Sequence, residues 1–246
     1  MDKCRNMAKR TVPFINNEFY HVIFRGIDGK TIFTDDNEYY RMIHDIFEFN
    51  DKKNAKSSYR KDFAISNEKK KIAEREPRDF LVKVHAFCLM PNHVHLILEQ
   101  LKDDGISKYM HKLCGGYSQF FNVKHKRKGY LFQGRFKSVY VNSDEQFNFL
   151  FVYVHTNPIA IICPNWKEKG IENSETEIIK FIENYKWSSY RDYLKSDNFP
   201  SLTQREYFLD IQSKEKWQEF VADWIKYKKE IFNFDRNIEW TLEDEF

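Results

Sequence analysis

The stretch FLVKVHAFCLMPNHVHLILEQ, residues 80–100, decides the fold. Its two halves, 80–90 and 93–100, are rich in β-branched and aromatic residues, which favour extended chain. Pro91-Asn92 between them is a turn pair. The stretch therefore predicts two neighbouring strands joined by a tight turn.

The second of these strands alternates between apolar and polar side chains. Successive side chains of a strand point to opposite faces, so Val94, Leu96 and Leu98 share one face. His93 and His95 share the other, about 7 Å apart along the strand. We expect the apolar face to lie on the core and the histidines to lie on the open face of the sheet.

Elements on both sides of this hairpin complete an α+β fold. The pattern predicts strand, helix, strand, strand, helix, strand and helix, and the first six spell a ferredoxin-like split βαβ arrangement: one antiparallel sheet with helices on one face. The ranges, in chain order, are a strand at 18–26, a helix after the cap at 34–36, the hairpin, a helix at 106–125, a short strand within 126–141, and a helix from 143 to 155.

Two units follow from this organisation. Residues 14–195 are predicted to form the main domain, with residues 51–79 a charged insertion. Residues 196–246 form a mainly helical C-terminal extension, in which EKWQEFVADWIKYKKEIF is the strongest amphipathic stretch.

The composition narrows the class of protein. The 246 residues carry 40 Lys+Arg against 37 Asp+Glu, so the net charge of +3 says little about partners. The 4 cysteines have no paired spacing, which favours a reduced cytosolic protein. The basic N-terminus lacks the apolar region of a signal peptide, and no apolar run reaches the ~20 residues that span a bilayer. We expect a cytoplasmic protein without a membrane segment.

The histidine pair is either a metal site or a polar strand face exposed to water. Imidazole is the commonest metal ligand, so His93 and His95 would supply two adjacent coordination positions. A site of this kind also needs a further ligand or a nucleophile on a neighbouring element. Without one, the solvated face is the simpler interpretation.

The helix that ends in YVHTNP supplies candidates for both roles. Tyr153 and Asn157 are four residues apart, which places them on one helix face, one turn apart. A tyrosine can act as a covalent nucleophile, and an asparagine oxygen is a fair ligand for a hard divalent cation. The alternative is a core-facing tyrosine and an ordinary helix-end residue, since Pro158 disfavours α geometry in the residue before it.

A basic and aromatic segment, residues 122–138, follows the second predicted helix. Cations neutralise phosphates while rings stack on bases, the combination that binds single-stranded nucleic acid. A solvated charged loop is the alternative. The candidate DNA-binding residues of the segment are Lys124, Lys126, Arg127, Lys128, Tyr130, Phe132, Gln133, Arg135 and Lys137.

Four motifs together carry a family resemblance. MPNHVHLIL, GYLFQGRFKS, YVHTNP and WSSYRDYL occur in this order, and the chain resembles the single-tyrosine HUH transposases, closest to the REP-associated, IS200-like group. The resemblance implies that His93 and His95 bind a divalent metal, Mg²⁺ or Mn²⁺, with Asn157 as the third ligand. It also implies that Tyr153 attacks single-stranded or hairpin DNA, giving a 5′-phosphotyrosine link, in a protein that acts as a monomer or a homodimer.

Two other functions compete with this one. A domesticated protein could keep the fold and bind DNA or RNA without catalysis, although such a binder has no need of the histidine pair and the tyrosine together. A metal-dependent hydrolase of a small phosphodiester would have no use for the basic, aromatic segment. The leading hypothesis is metal-dependent cleavage and rejoining of single-stranded DNA.

Overall fold

The computed structural model describes residues 13–53, 78–164, 166, 173–194, 198–211 and 213–231. The expectations for the N-terminal segment up to residue 12 lie outside these ranges. So does most of the predicted charged insertion, residues 54–77.

The sheet has four strands in the order β2-β3-β1-β4, and every neighbouring pair is antiparallel. This order, with a helix between β1 and β2 and another between β3 and β4, is the ferredoxin-like arrangement that the sequence predicted. The α+β fold class is confirmed. The strands are β1 (Phe19–Arg25), β2 (Val82–Met90), β3 (His93–Gln100) and β4 (Lys137–Val141).

Most of the longer helices begin at the capping residues that the sequence supplies. The side chains of Asp35, Ser143 and Ser174 each accept a hydrogen bond from a backbone N–H of the first turn. The helices are α1 (Asp36–Glu48), α2 (Gly105–Lys124), α3 (Asp144–Thr156), α4 (Ile159–Ile162), α5 (Glu175–Asn184), α6 (Tyr190–Tyr193), α7 (Glu206–Ile211) and α8 (Lys214–Ile231).

Helices α1 and α2 cover the first face of the sheet. Val94, Leu96 and Leu98 are fully buried there, as the alternation predicted. Two tyrosines of α2 fix the packing, since the hydroxyls of Tyr109 and Tyr117 donate to backbone carbonyls at 3.1 and 2.6 Å. This face is an apolar core in which the buried tyrosine hydroxyls have hydrogen-bond partners.

Helix α3 covers the second face, and this corrects the expectation of an open histidine face. All residues of α3 from Leu150 to Thr156 are buried. A helix that is apolar all round needs cover on both sides. The sheet provides one side, and α5 and α8 provide the other, with Ile182 and Trp217 in the same buried cluster. His95 therefore lies under a helix rather than in water.

The C-terminal part also protects the edge of the sheet. Leu89 and Ser189 donate backbone hydrogen bonds to the carbonyls of Trp187 and Phe87 at 2.8 and 3.0 Å, so the WSSY segment pairs with the outer edge of β2. The mainly helical character of the extension is confirmed within the described residues by α7 and α8. The division into a main domain of residues 14–195 and an extension of residues 196–246 stays a prediction.

A pair of glycines in α2 yields a matched test of the packing between α1 and α2. A Cβ at Gly116 would lie 2.4 Å from Cε2 of Phe49, whereas one at Gly115 would meet nothing within 4 Å. We expect Gly116→Ala to lower the free energy of unfolding by about 1–3 kcal/mol because of overpacking. Gly115→Ala should raise it by about 0.5–1 kcal/mol through helix propensity. Urea denaturation measures both, and equal stability of the two variants would contradict this packing.

Candidate active site

Three histidines meet on the covered face of the sheet. His93 and His95 on β3 have ring centroids 4.8 Å apart. His21 on the neighbouring strand β1 joins them: its Nε2 lies 3.0 Å from Nδ1 of His95, with the two rings nearly parallel at 9°. His21 and His95 are buried, and His93 is half-buried.

Tyr153 lies directly over these rings. Its ring centroid is 5.6 Å from that of His95 and 5.8 Å from that of His21, edge-on to both. The tyrosine is 8% exposed. The fold therefore brings the candidate nucleophile of α3 to the histidine pair of β3, two groups that are far apart in the sequence.

Asn157 stands at the end of α3, where the sequence predicted it. The helix ends at Thr156, yet Asn157 itself keeps α geometry (φ −50°, ψ −37°), so the expected departure from α geometry before proline is not met. Side chains at the end of the helix donate hydrogen bonds to backbone carbonyls of its last turn. Asn157 Nδ2 donates to the Tyr153 carbonyl at 3.2 Å, and Thr156 Oγ1 donates to the Val152 carbonyl at 2.8 Å.

Burial sets the protonation of the site. It raises the pKa of Tyr153 above the ordinary value of 10, and a hydrogen bond with Asn157 and the charge of Arg25 lower it only in part. Burial, and then the neighbouring charge of His93, lower the pKa of His21 to about 3. The phenol is therefore protonated and His21 neutral at physiological pH, so attack on an anionic phosphate needs added positive charge.

The two histidines of β3 fit a divalent metal ion. A metal-binding imidazole usually has its second nitrogen hydrogen-bonded to a polar partner. Nδ1 of His93 lies 2.6 Å from Oδ1 of Asn92, and Nδ1 of His95 lies 3.0 Å from Nε2 of His21. Nε2 would therefore be the ligating atom in both histidines. No group of three or more His, Cys, Asp or Glu suited to a metal occurs in the described ranges, so a third protein ligand would have to be of another type, such as Asn157.

A buried polar contact fixes the helix of the nucleophile against the sheet. His155 Nε2 lies 2.8 Å from Oγ of Ser189, and that oxygen also accepts the backbone N–H of Phe87 at 2.9 Å. Phe87 precedes Cys88, the register partner of His95. Burial lowers the pKa of His155 to about 3 and keeps it neutral. The YVHTNP and WSSY motifs thus meet in one contact that holds α3 at β2.

The basic segment is exposed over most of its candidate residues. Tyr130 is 75% exposed, and its backbone carbonyl accepts a hydrogen bond from Arg127 at 2.9 Å. Charged and aromatic groups thus share one solvent-facing loop. The exposed members are Lys124, Lys126, Lys128, Tyr130, Gln133, Arg135 and Lys137.

Two members of the predicted DNA-binding set have other contacts. Phe132 is 8% exposed and packs edge-on against Phe24 in the core, so its ring cannot stack on a base. Lys124 forms ion pairs with Asp35 and, at 2.8 Å, with the fully buried carboxylate of Glu38. Both side chains therefore have partners within the protein.

Sequence reasoning missed His21 and Arg25. Both residues lie on β1, in YHVIFRG. Their side chains are on the same face of the sheet as His93 and His95, and Arg25 is the register partner of His93. The alternation of side chains along β1 could be read from the sequence, but the register of β1 against β3 could not. Arg25 is exposed beside the half-buried His93, so this end of the sheet offers a cation next to the candidate metal ligands.

Comparison with known proteins finds one similar family. Residues 55–157 match the family described as Transposase IS200 like, over less than half of the 246-residue chain. The matched span contains His93, His95 and Tyr153 and ends at Asn157. The similarity to IS200-like transposases that the motifs predicted is confirmed.

Among solved structures, a REP-associated tyrosine transposase bound to a REP hairpin is similar to the chain. The TM-score is 0.46 and the identity 13%, with 77% of this chain and 86% of that chain covered. No curated protein matches. Within the described ranges, no helix has the length and apolar character needed to cross a membrane.

Proposed function

We propose that the protein is a metal-dependent transposase that cleaves and rejoins single-stranded or hairpin DNA through Tyr153. The observation that carries the proposal is the position of the Tyr153 ring, 5.6 Å from the ring of His95. A tyrosine nucleophile beside two imidazoles that can hold a metal ion suits metal-assisted transfer of a phosphoryl group. The family match over residues 55–157 supports it.

Tyr153 would perform the covalent step. Its phenolic oxygen attacks the scissile phosphorus and loses its proton as the new O–P bond forms. The bond from phosphorus to the 3′-oxygen breaks, and the departing 3′-oxygen gains a proton. The products are a 5′-phosphotyrosine and a free 3′-hydroxyl. Attack of a 3′-hydroxyl on the phosphotyrosine reverses the step, so rejoining needs no nucleoside triphosphate.

The charges needed for this step come from the sheet. A divalent ion held by His93, His95 and Asn157 would neutralise charge on the phosphate as the new bond forms. Arg25, at the same end of the sheet, would bind a phosphate oxygen and already lowers the pKa of Tyr153. The buried rings of His21 and His95 exclude water from the phenol.

A denaturing gel with a suicide substrate tests the proposal. A single-stranded substrate with only a few nucleotides on the 5′ side of the scissile phosphate loses that short fragment, which carries the new 3′-hydroxyl, so the covalent adduct accumulates. We expect an adduct with Mn²⁺ and none with EDTA. An adduct of equal yield in EDTA would contradict the metal-dependent reaction.

Substitutions in the exposed loop are expected to lower the affinity for DNA. Tyr130→Ala should weaken binding of single-stranded DNA by about 1–3 kcal/mol, because one base loses its stacking platform. Lys128→Ala should reduce the slope of log K against log salt by about 0.7, the value for one phosphate contact on a single strand. Fluorescence anisotropy at several salt concentrations measures both effects.

The matched controls lie on α8. Tyr227 is 47% exposed and Lys226 is exposed, and both belong to the extension rather than to the loop. Tyr227→Ala and Lys226→Ala should leave affinity and slope unchanged. Equal effects at the two locations would show that the loop is not the DNA-binding surface.

One observation favours the non-catalytic alternative. Tyr153 is only 8% exposed, and a protein that binds DNA or RNA without cleaving it could keep the ring as a core residue. That protein would bind single strands in EDTA and in Mn²⁺ alike and would form no adduct with either. The suicide-substrate gel therefore separates the two functions.

A further inference from the structure

We infer that His21 is a positioning residue that holds His95 in the tautomer that can bind a metal ion. The inference deepens the proposed function and rests on it. The contact that carries it is the one between Nε2 of His21 and Nδ1 of His95, 3.0 Å apart.

Strand pairing makes this contact specific. His21 lies opposite Ile97, and His95 lies opposite Ile23, so the two histidines are diagonal neighbours on one face. Diagonal neighbours lie within reach of aromatic side chains. His21 and His95 are 1% and 2% exposed, so water has little access to replace either histidine as the hydrogen-bond partner of the other.

The chemistry of imidazole determines the direction of the bond. A neutral imidazole carries one N–H and one lone pair, and a metal takes the lone pair. If Nε2 of His95 is the ligand, the single proton of that ring sits on Nδ1. His95 then donates and Nε2 of His21 accepts.

His93 reaches the same tautomer by a different device. Nδ2 of Asn92 donates to the carbonyl of Gly29 at 3.2 Å, which orients the amide so that its oxygen points at Nδ1 of His93, 2.6 Å away. An amide oxygen only accepts, so the proton of His93 sits on Nδ1. Both histidines therefore present Nε2, and His21 does for His95 what Asn92 does for His93.

Two substitutions separate the hydrogen bond from the packing. His21→Phe keeps a ring against Tyr153 and His95 but removes the acceptor, while His21→Gln restores an acceptor oxygen near the position of Nε2. Loss of such a partner costs about 10–100-fold in metal affinity. We expect the Mn²⁺ dissociation constant, measured by titration calorimetry, to rise by that factor in His21→Phe and to stay close to wild type in His21→Gln.

Histidine controls distinguish this inference from the proposed function. His93→Ala should abolish Mn²⁺ binding, and replacement of the exposed His111 by Ala should not change it. If wild-type binding is insensitive to His93→Ala, the proposed metal site fails. If binding needs His93 but His21→Phe binds as tightly as wild type, only the role of His21 is overturned.

A spectroscopic measurement needs no variant. In the metal-free wild-type protein labelled with ¹⁵N, the inference predicts a ¹⁵N–¹⁵N coupling across the hydrogen bond between His21 and His95, with the proton attached to Nδ1 of His95. A proton attached instead to Nε2 of His21, or no coupling between the two rings, would overturn it, even if His21→Phe fails to fold.

Discussion

Tyr153→Phe is expected to bind single-stranded DNA like the wild type and to form no covalent adduct with it. The substitution removes the one oxygen that would attack phosphorus. Loss of a nucleophile costs orders of magnitude, so we expect a fall of at least about 10³-fold in adduct formation. The ring contacts with His21 and His95 remain, so the fold and the DNA affinity should be preserved.

A second tyrosine provides the control for this experiment. Tyr140 lies on β4, is 43% exposed, and its hydroxyl donates to Glu18 at 2.9 Å. Tyr140→Phe removes a hydroxyl of the same sheet without touching the histidines and should keep full activity. Adduct formation by Tyr153→Phe at the rate of Tyr140→Phe would refute the assignment of the nucleophile.

His93→Ala is expected to abolish Mn²⁺-dependent cleavage while the protein still binds DNA in EDTA. The variant keeps one imidazole, which cannot hold the ion alone. Positive charge at the phosphate is worth several kcal/mol in such reactions. A loss of about 4 kcal/mol corresponds to roughly a 10³-fold lower cleavage rate.

His93 is a better target than His95 for this test. His93 is half-buried, whereas His95 is 2% exposed and pairs with His21, so its removal would also leave a cavity. Thermal unfolding checks that His93→Ala keeps its fold. Cleavage at the wild-type rate over a full Mn²⁺ titration would exclude His93 as a ligand.

The sequence predicted the elements and faces of the sheet because those are local properties. Alternation along β3 assigned Leu96 and His95 to opposite faces, and capping residues such as Ser143 marked helix starts within one residue. The strand order also followed, since the βαββαβ succession leaves few topologies.

The sequence could not predict what covers the histidine face. Helix α3 is buried by the sheet on one side and by α8 on the other, and these surfaces are distant from it in the chain. The same limit hid His21, because the register of β1 against β3 depends on tertiary packing. Phe132 illustrates the same limit: the composition of its loop is typical of DNA contact, but tertiary packing places its ring in the core.

The most direct test of the account is mass spectrometry of the covalent peptide–DNA adduct. Wild-type protein is incubated with a suicide single-stranded substrate and Mn²⁺, digested with protease and nuclease, and sequenced by fragmentation. The account predicts one modified peptide, with the nucleotide phosphate on Tyr153. A phosphate on another residue, or single-strand cleavage with no peptide adduct, would contradict it.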